Sequence, residues 1–322
     1  MRVVPRLQAM AALLALLPGL AGLPGFAQEP APADTFQDEV SVGLVLVPVV
    51  VRSGGGYAKS LDLDDFRLLV EGKPARIESF ERRSDAPASI VVLQDVSGSM
   101  EGEKIRMARE AVRFFLDKAL AGDELAISTF AGEMFQVDVP FTTNLRTVRE
   151  SVAAWEAYGT TALHDAVARM PQISLEGRNP KRFALLITDG VDNASRLTPE
   201  EARAIVQEAQ LPTYVLGLGS GNPYELSDKG EKIYRYADVL SLLAAVSGGR
   251  YYSIQSNEQL QEALTAILDD VRHQYVLGFS TGDGAVKFRP LSVEVKGKSR
   301  GQTVVFRRGY KGTPPAEARV GG

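Results

Sequence analysis

Along the middle of the chain, uninterrupted apolar runs alternate with stretches in which apolar residues recur at helical spacing. Ile90–Leu93 has no polar alternation to wet one face, and Phe183–Thr188 (FALLIT) reads the same way, so both are predicted as buried strands. Asp123–Phe130 and Thr213–Leu218 are further predicted strands, with Met134–Val139 as a hairpin partner of the first. Between them Ile105, Ala108, Val112, Phe115 and Ala119 fall on one face of a helix predicted from Gly102 to Leu120. Asn144 is placed to cap a helix over Asn144–Trp155, and Ala162–Met170 reads as another. Thr198-Pro199-Glu200-Glu201 opens a helix with cap, first-turn proline and acidic residues in order. Ala237–Val246 and Asn257–Arg272 complete the helices, and Arg250–Ile254 the strands. Strands alternating with helices over Ser89–Arg272 predict a largely parallel sheet covered on both faces.

The texture differs on either side of this unit. Val40–Val51 is β-branched and partly alternating, the glycines at 54, 55 and 56 force a turn, and Glu71-Gly72-Lys73 separates two short apolar runs as a hairpin would. Beyond Gln274, YVLGFST, LSVEVKG and QTVVFRRGY read as short strands between glycine-containing turns. Each β segment is too small to bury a core by itself. Residues 38–86 and 273–311 are therefore expected to pair into one β-sandwich flanking the α/β unit at 87–272. Residues 28–37 (QEPAPADTFQ) read as a flexible lead-in and 312–322 as a disordered tail.

Composition changes this picture at two points. The first 27 residues carry Arg2 and Arg6, an apolar stretch from Ala9 to Leu23, and small residues at Gly25 and Ala27. That is the pattern of a signal peptide cut before Gln28, and it predicts an exported protein: periplasmic, cell-surface or secreted. No later stretch is long and apolar enough for a membrane span. Cysteine is absent, which excludes disulfides and thiol chemistry. The net charge of -4, with no basic stripe, gives no support to nucleic-acid binding.

Candidate chemistry gathers at predicted strand ends. The strand over Ile90–Leu93 runs into Asp95, and Ser97, Gly98 and Ser99 turn the chain before the next helix. Oxygen-bearing side chains at alternate positions past a strand's C-terminal end can converge on one point, where ligands sit in open α/β sheets. Thr161, in the loop before Ala162–Met170, and Asp189, at the end of FALLIT, add a third hydroxyl and a second carboxylate. Oxygen-only donors suit a hard cation and exclude a zinc-type site. Asp62, Asp64 and Asp65 form a solvated loop in this reading, and His164 and His273 have no ligand spacing and read as surface or packing residues.

DVSGSM, the later GTTAL and the later LITDG resemble the three loops of the metal-ion-dependent adhesion site of von Willebrand factor type A (VWA) domains. GTTALHDA, TDGVDNAS, SGGRYYSI, RHQYVLGFS and FRRGY further resemble an exported bacterial subgroup first described in acidobacteria. The resemblance implies an α/β, Rossmann-like VWA domain inserted in or flanked by a small β-sandwich. It also implies a metal site of Asp95, Ser97, Ser99, Thr161 and Asp189, with the hydroxyls on the ion and the carboxylates partly behind water. Mg²⁺ suits a compact site that retains waters, with Mn²⁺ or Ca²⁺ as substitutes. Few anionic ligands leave the ion open to one more oxygen anion, which a partner protein's Asp or Glu can supply. A binding module, not an enzyme, is therefore the leading expectation: there is no G-x-S-x-G elbow, no cysteine and no His in a triad pattern. A structural subunit of an envelope assembly with a stabilising metal is the alternative, and a metal-assisted hydrolase the third reading.

Overall fold

The computed structural model describes residues 43–53, 56–58, 60–83, 86–179, 181–209, 211–220, 235–281, 287–297 and 302–311. The expected leader, lead-in and C-terminal tail lie outside the described residues.

The chain enters through β1 (Gly43–Ser53), whose Val45, Val47, Val49 and Val51 are buried on one face at the two-residue period of a strand. A short return strand, β2 (Gly56–Tyr57), is followed by β3 (Phe66–Val70), β4 (Lys73–Ala75) and β5 (Ser79–Arg83). The β3–β4 hairpin turns through Glu71 and Gly72, both at positive φ. Then comes the α/β unit: β6 (Ala88–Asp95), α1 (Glu103–Asp117), β7 (Glu124–Ala131), β8 (Met134–Thr142), α2 (Leu145–Ala153), α3 (Leu163–Val167) and α4 (Met170–Ser174). It continues through β9 (Lys181–Thr188), α5 (Pro199–Glu208), β10 (Thr213–Leu218), α6 (Arg235–Ser247), β11 (Tyr251–Ile254) and α7 (Asn257–Arg272). The last strands are β12 (Gln274–Thr281), β13 (Phe288–Val295), β14 (Thr303–Phe306) and β15 (Gly309–Lys311).

The α/β sheet runs β11-β10-β9-β6-β7-β8, parallel except for β8 at its edge. Successive residues of β6 feed opposite faces. Ile90 and Val92 join a core with α1, α2 and α7, while Val91 and Leu93 join one with α3, α4, α5 and α6. The uninterrupted apolar run is the sequence trace of this two-sided burial. Since β7 lies on one side of β6 and β9 on the other, the loops leaving β6 and β9 part at the switch point of the sheet.

The flanking β segments share both sheets of a sandwich. One sheet runs β14-β1-β12-β5 with β2 on β1; the other runs β15-β13-β3-β4. Their inner faces close on Val47, Phe66, Leu68, Tyr275, Leu277 and Val293. Asp270 of α7, 2% exposed, ties the α/β unit to this sandwich: it accepts a hydrogen bond from Tyr57 Oη at 2.7 Å and pairs with Arg52.

Two elements differ from the sequence expectation. The single helix expected over Ala162–Met170 ends at Val167, and a second begins at Met170. Pro171 has no N–H to continue the first helix, and its ring crowds the carbonyl four residues back. The expected strand QTVVFRRGY is two strands in different sheets: Phe306 registers with Val49, Tyr310 with Arg289. The chain crosses between sheets at Arg307, which is 2% exposed, donates to the Leu46 carbonyl at 2.8 Å, and has its pKa pushed down to about 9 by burial.

Gly249 lies where the turn before β11 meets β10, and a Cβ there would stand 2.0 Å from the Thr213 carbonyl oxygen. Gly249→Ala should therefore lower stability by about 3 kcal/mol in urea denaturation, whereas Leu175→Ala, at a side chain 73% exposed, should stay within about 0.5 kcal/mol.

Candidate metal centre

Asp95 is the last residue of β6 and is fully buried. Its Oδ1 accepts the Ser97 N–H at 2.9 Å, which bends the chain sharply as it leaves the sheet. A one-turn 3₁₀ helix, Gly98–Met100, follows, anchored by the buried Met100 side chain. This geometry brings Ser97 Oγ and Ser99 Oγ within 3.2 Å of each other.

The second loop docks directly on the first. Tyr158 N–H donates to the Val96 carbonyl at 2.8 Å, and Gly98 N–H donates to the Gly159 carbonyl at 3.0 Å. A Cβ at Gly98 would lie 3.3 Å from that same oxygen, so a larger residue would press the loops apart. Thr161, 2% exposed, follows Gly159 and Thr160 into this junction.

The third loop closes the ring. Thr188 Oγ1 donates to Asp95 Oδ2 at 2.6 Å and accepts from Gly190 N–H at 3.0 Å. Asn193 Oδ1 accepts the Thr161 N–H at 2.9 Å, and the Thr161 carbonyl accepts from Asn193 and Ala194, each at 3.0 Å. Each loop is thus bonded to both others, and all five sequence-identified residues lie on these three loops. Asp95, Ser97, Thr161 and Asp189 are buried, while Ser99 is exposed.

Neighbouring polar residues hold the ring in place. Asp192 Oδ2 accepts the His164 N–H at the start of α3 at 3.2 Å, and Asp165 accepts the Arg196 and Leu197 N–H groups. Both carboxylates serve turns and helix ends. The Asn193 contact to Thr161 was not evident from sequence, where Asn193 appears only within the TDGVDNAS stretch and carries no assigned role. Lys104 was also missed: its Nζ lies 2.8 Å from Asp189 Oδ2 and 3.0 Å from the Ser99 carbonyl oxygen.

Electrostatically the centre is short of positive charge. Burial pushes the Asp95 carboxyl up to about 6, and the negative charge of Asp189 adds to the shift, while hydrogen bonds from Ser97 and Thr188 oppose it. Among the described residues no group of three or more His, Asp or Glu converges, and the five residues on the three loops comprise three hydroxyls and two carboxylates. Hydroxyls beside two carboxylates suit a hard cation that keeps water, and give no soft or imidazole ligand.

The Thr188 hydroxyl both donates to Asp95 and receives Gly190 N–H, so the near-isosteric Thr188→Val leaves two buried polar groups short of a partner. It should cost about 1–3 kcal/mol in denaturant unfolding.

Comparison with known proteins agrees with this architecture. Residues 90–191 match the family model of the von Willebrand factor type A domain. Inter-alpha-trypsin inhibitor heavy chain H4 of Sus scrofa is 30% identical over 159 residues, covering 45% of this chain and 17% of the relative. Heavy chain H3 of Mesocricetus auratus is 26% identical over 228 residues, covering 63% of this chain and 25% of the relative. The aligned part is therefore a quarter or less of the length of these curated relatives. Among solved structures, a von Willebrand factor type A protein from Catenulispora acidiphila superposes with a TM-score of 0.48 at 14% identity, covering 76% of this chain and 74% of that one. By its family match and by the fold that carries it, this chain contains a von Willebrand factor type A domain.

Proposed function

We propose that the three loops hold a divalent cation, Mg²⁺ with Mn²⁺ or Ca²⁺ as substitutes, and that the protein captures a protein partner through an Asp or Glu carboxylate. The observation that carries this reading is the ring itself: Asp95, Ser97, Ser99, Thr161 and Asp189 on three mutually bonded loops at the switch point of the sheet. VWA domains commonly mediate protein–protein interaction, which supports the same reading. When bound, the cation supplies an incompletely neutralised charge with a coordination position open to an external carboxylate.

The chain's own residues set the terms of that exchange. Ser97, Ser99 and Thr161 offer neutral oxygens and so leave most of the cation's charge unspent. Asp95 has both oxygens engaged, by Ser97 N–H and by Thr188 Oγ1, so it orients the first loop and contributes charge from behind. The hydroxyl-dominated set offers no strong base to activate water, which favours capture over hydrolysis. The N-terminal pattern supports an exported protein acting at the periplasm, the cell surface or beyond. Among the described residues no helix is long and apolar enough to cross a membrane.

An alternative role, in which the metal only stabilises an envelope subunit, is disfavoured by the direct bonds that already join the loops. Isothermal titration should show one Mg²⁺ site in the wild type and at least a roughly tenfold loss of affinity in Asp95→Ala and Thr161→Ala. Chelation should leave the cooperative unfolding transition in place while abolishing cross-linked capture of partners from envelope extract. Recovery of the same proteins with Mg²⁺, with chelator and with Asp95→Ala would refute metal-dependent capture.

A further inference from the structure

Lys104 is the second residue of α1, where the helix dipole favours anions over cations. Its stem is placed by the fold: a Cβ on Gly219, just past β10, would stand 3.4 Å from Lys104 Cε. Its ammonium reaches back over the first loop to Asp189 Oδ2 at 2.8 Å and the Ser99 carbonyl at 3.0 Å. The side chain of Asp189 is 4% exposed and that of Lys104 is 34% exposed, so the ammonium lies between a buried carboxylate and solvent. A cation set against its own helix dipole, on a carboxylate of the candidate centre, breaks a local rule in a way that points to function.

We infer that Lys104 is a tethered counter-cation that a divalent ion must displace from Asp189, and that it thereby sets the metal concentration at which the site fills. The inference rests on the metal-site reading above. In the metal-free protein the ammonium neutralises Asp189, so the buried carboxylate is not left unpaired. Two cations cannot both use the same carboxylate oxygen at full strength, so ammonium and divalent ion are coupled unfavourably through Asp189. Removal of the competitor frees the oxygen without altering any of the five candidate ligands. Only Lys104 moves, so the exchange needs no rearrangement of the sheet.

The test is calorimetric titration of the whole protein with Mg²⁺ alone, comparing wild type with Lys104→Met and Lys104→Gln, and with thermal unfolding followed in parallel. Both variants should bind Mg²⁺ about five- to tenfold more tightly, and their melting temperatures should rise further on Mg²⁺ addition than that of the wild type. Lys104→Arg, which keeps the charge, should stay within about twofold of the wild type. Equal or weaker Mg²⁺ affinity in both neutral variants would overturn the competitor role while leaving the metal site intact. If no protein in the series binds Mg²⁺, or if Asp95→Ala binds it as the wild type does, the metal-site reading fails and this inference falls with it.

Discussion

Everything at the C-terminal end of the α/β sheet depends on one carboxylate held in a dry place. Asp95 is fully buried at the tip of the central strand β6, and loss of solvation there disfavours its ionised form and raises its pKa. Its two oxygens are used differently. One turns its own loop by accepting Ser97 N–H; the other reaches the neighbouring strand end through the Thr188 hydroxyl. Since β6 lies between β7 and β9, the same residue joins loops that the topology sends in opposite directions. The second loop docks on the first by backbone contacts, from Tyr158 N–H to Val96 and from Gly98 N–H to Gly159, and on the third through the Asn193 side chain and the Thr161 carbonyl.

Much of this was legible in the sequence, for definable reasons. The parallel strands announce themselves because burial on both faces removes polar residues from Ile90–Leu93 and from Phe183–Ile187. The carboxylates and hydroxyls at the strand ends were legible because a short turn places D-x-S-x-S on one side of the chain. What escaped was long-range or set by a single residue. The helix predicted over Ala162–Met170 stops at Val167, ahead of a second helix that carries Pro171 in its first turn, because apolar spacing does not register where a proline ends a helix. FRRGY reads as a continuous strand because alternation does not reveal a change of sheet; the crossing at Arg307 is apparent only once Val49 and Arg289 are known as partners. Lys104 belongs to the helix by pattern and to Asp189 by reach, and a flexible side chain leaves no periodic trace of where its end goes.

The centre's poverty in strong bases is as informative as its wealth in oxygens. Catalysis by hydrolysis asks for a group that can take a proton from water near neutral pH and stand free to do so. Asp95, although raised toward that range, is committed on both oxygens, and Asp189 is engaged by Lys104 and by Val191 N–H. His164, the nearest imidazole in sequence to Thr161, lies beside Asp192, a residue occupied with the start of α3. These carboxylates hold the loops in place, which is the rigidity that the capture role proposed above would require.

The way the sandwich is assembled has a mechanical consequence. The chain passes into the α/β unit from β5 and leaves it into β12, and these strands are neighbours in one sheet, with Arg83 opposite Gln274. Tension applied across residues 43 and 311 is therefore met by the ladders that pair β1 with β12 and β14, while the β5–β12 ladder bridges the point where the α/β unit is inserted, so the parallel sheet that carries the loops lies off that path. The sandwich acts as a strain relief: while those ladders hold, a load on the chain leaves the geometry around Asp95 unchanged.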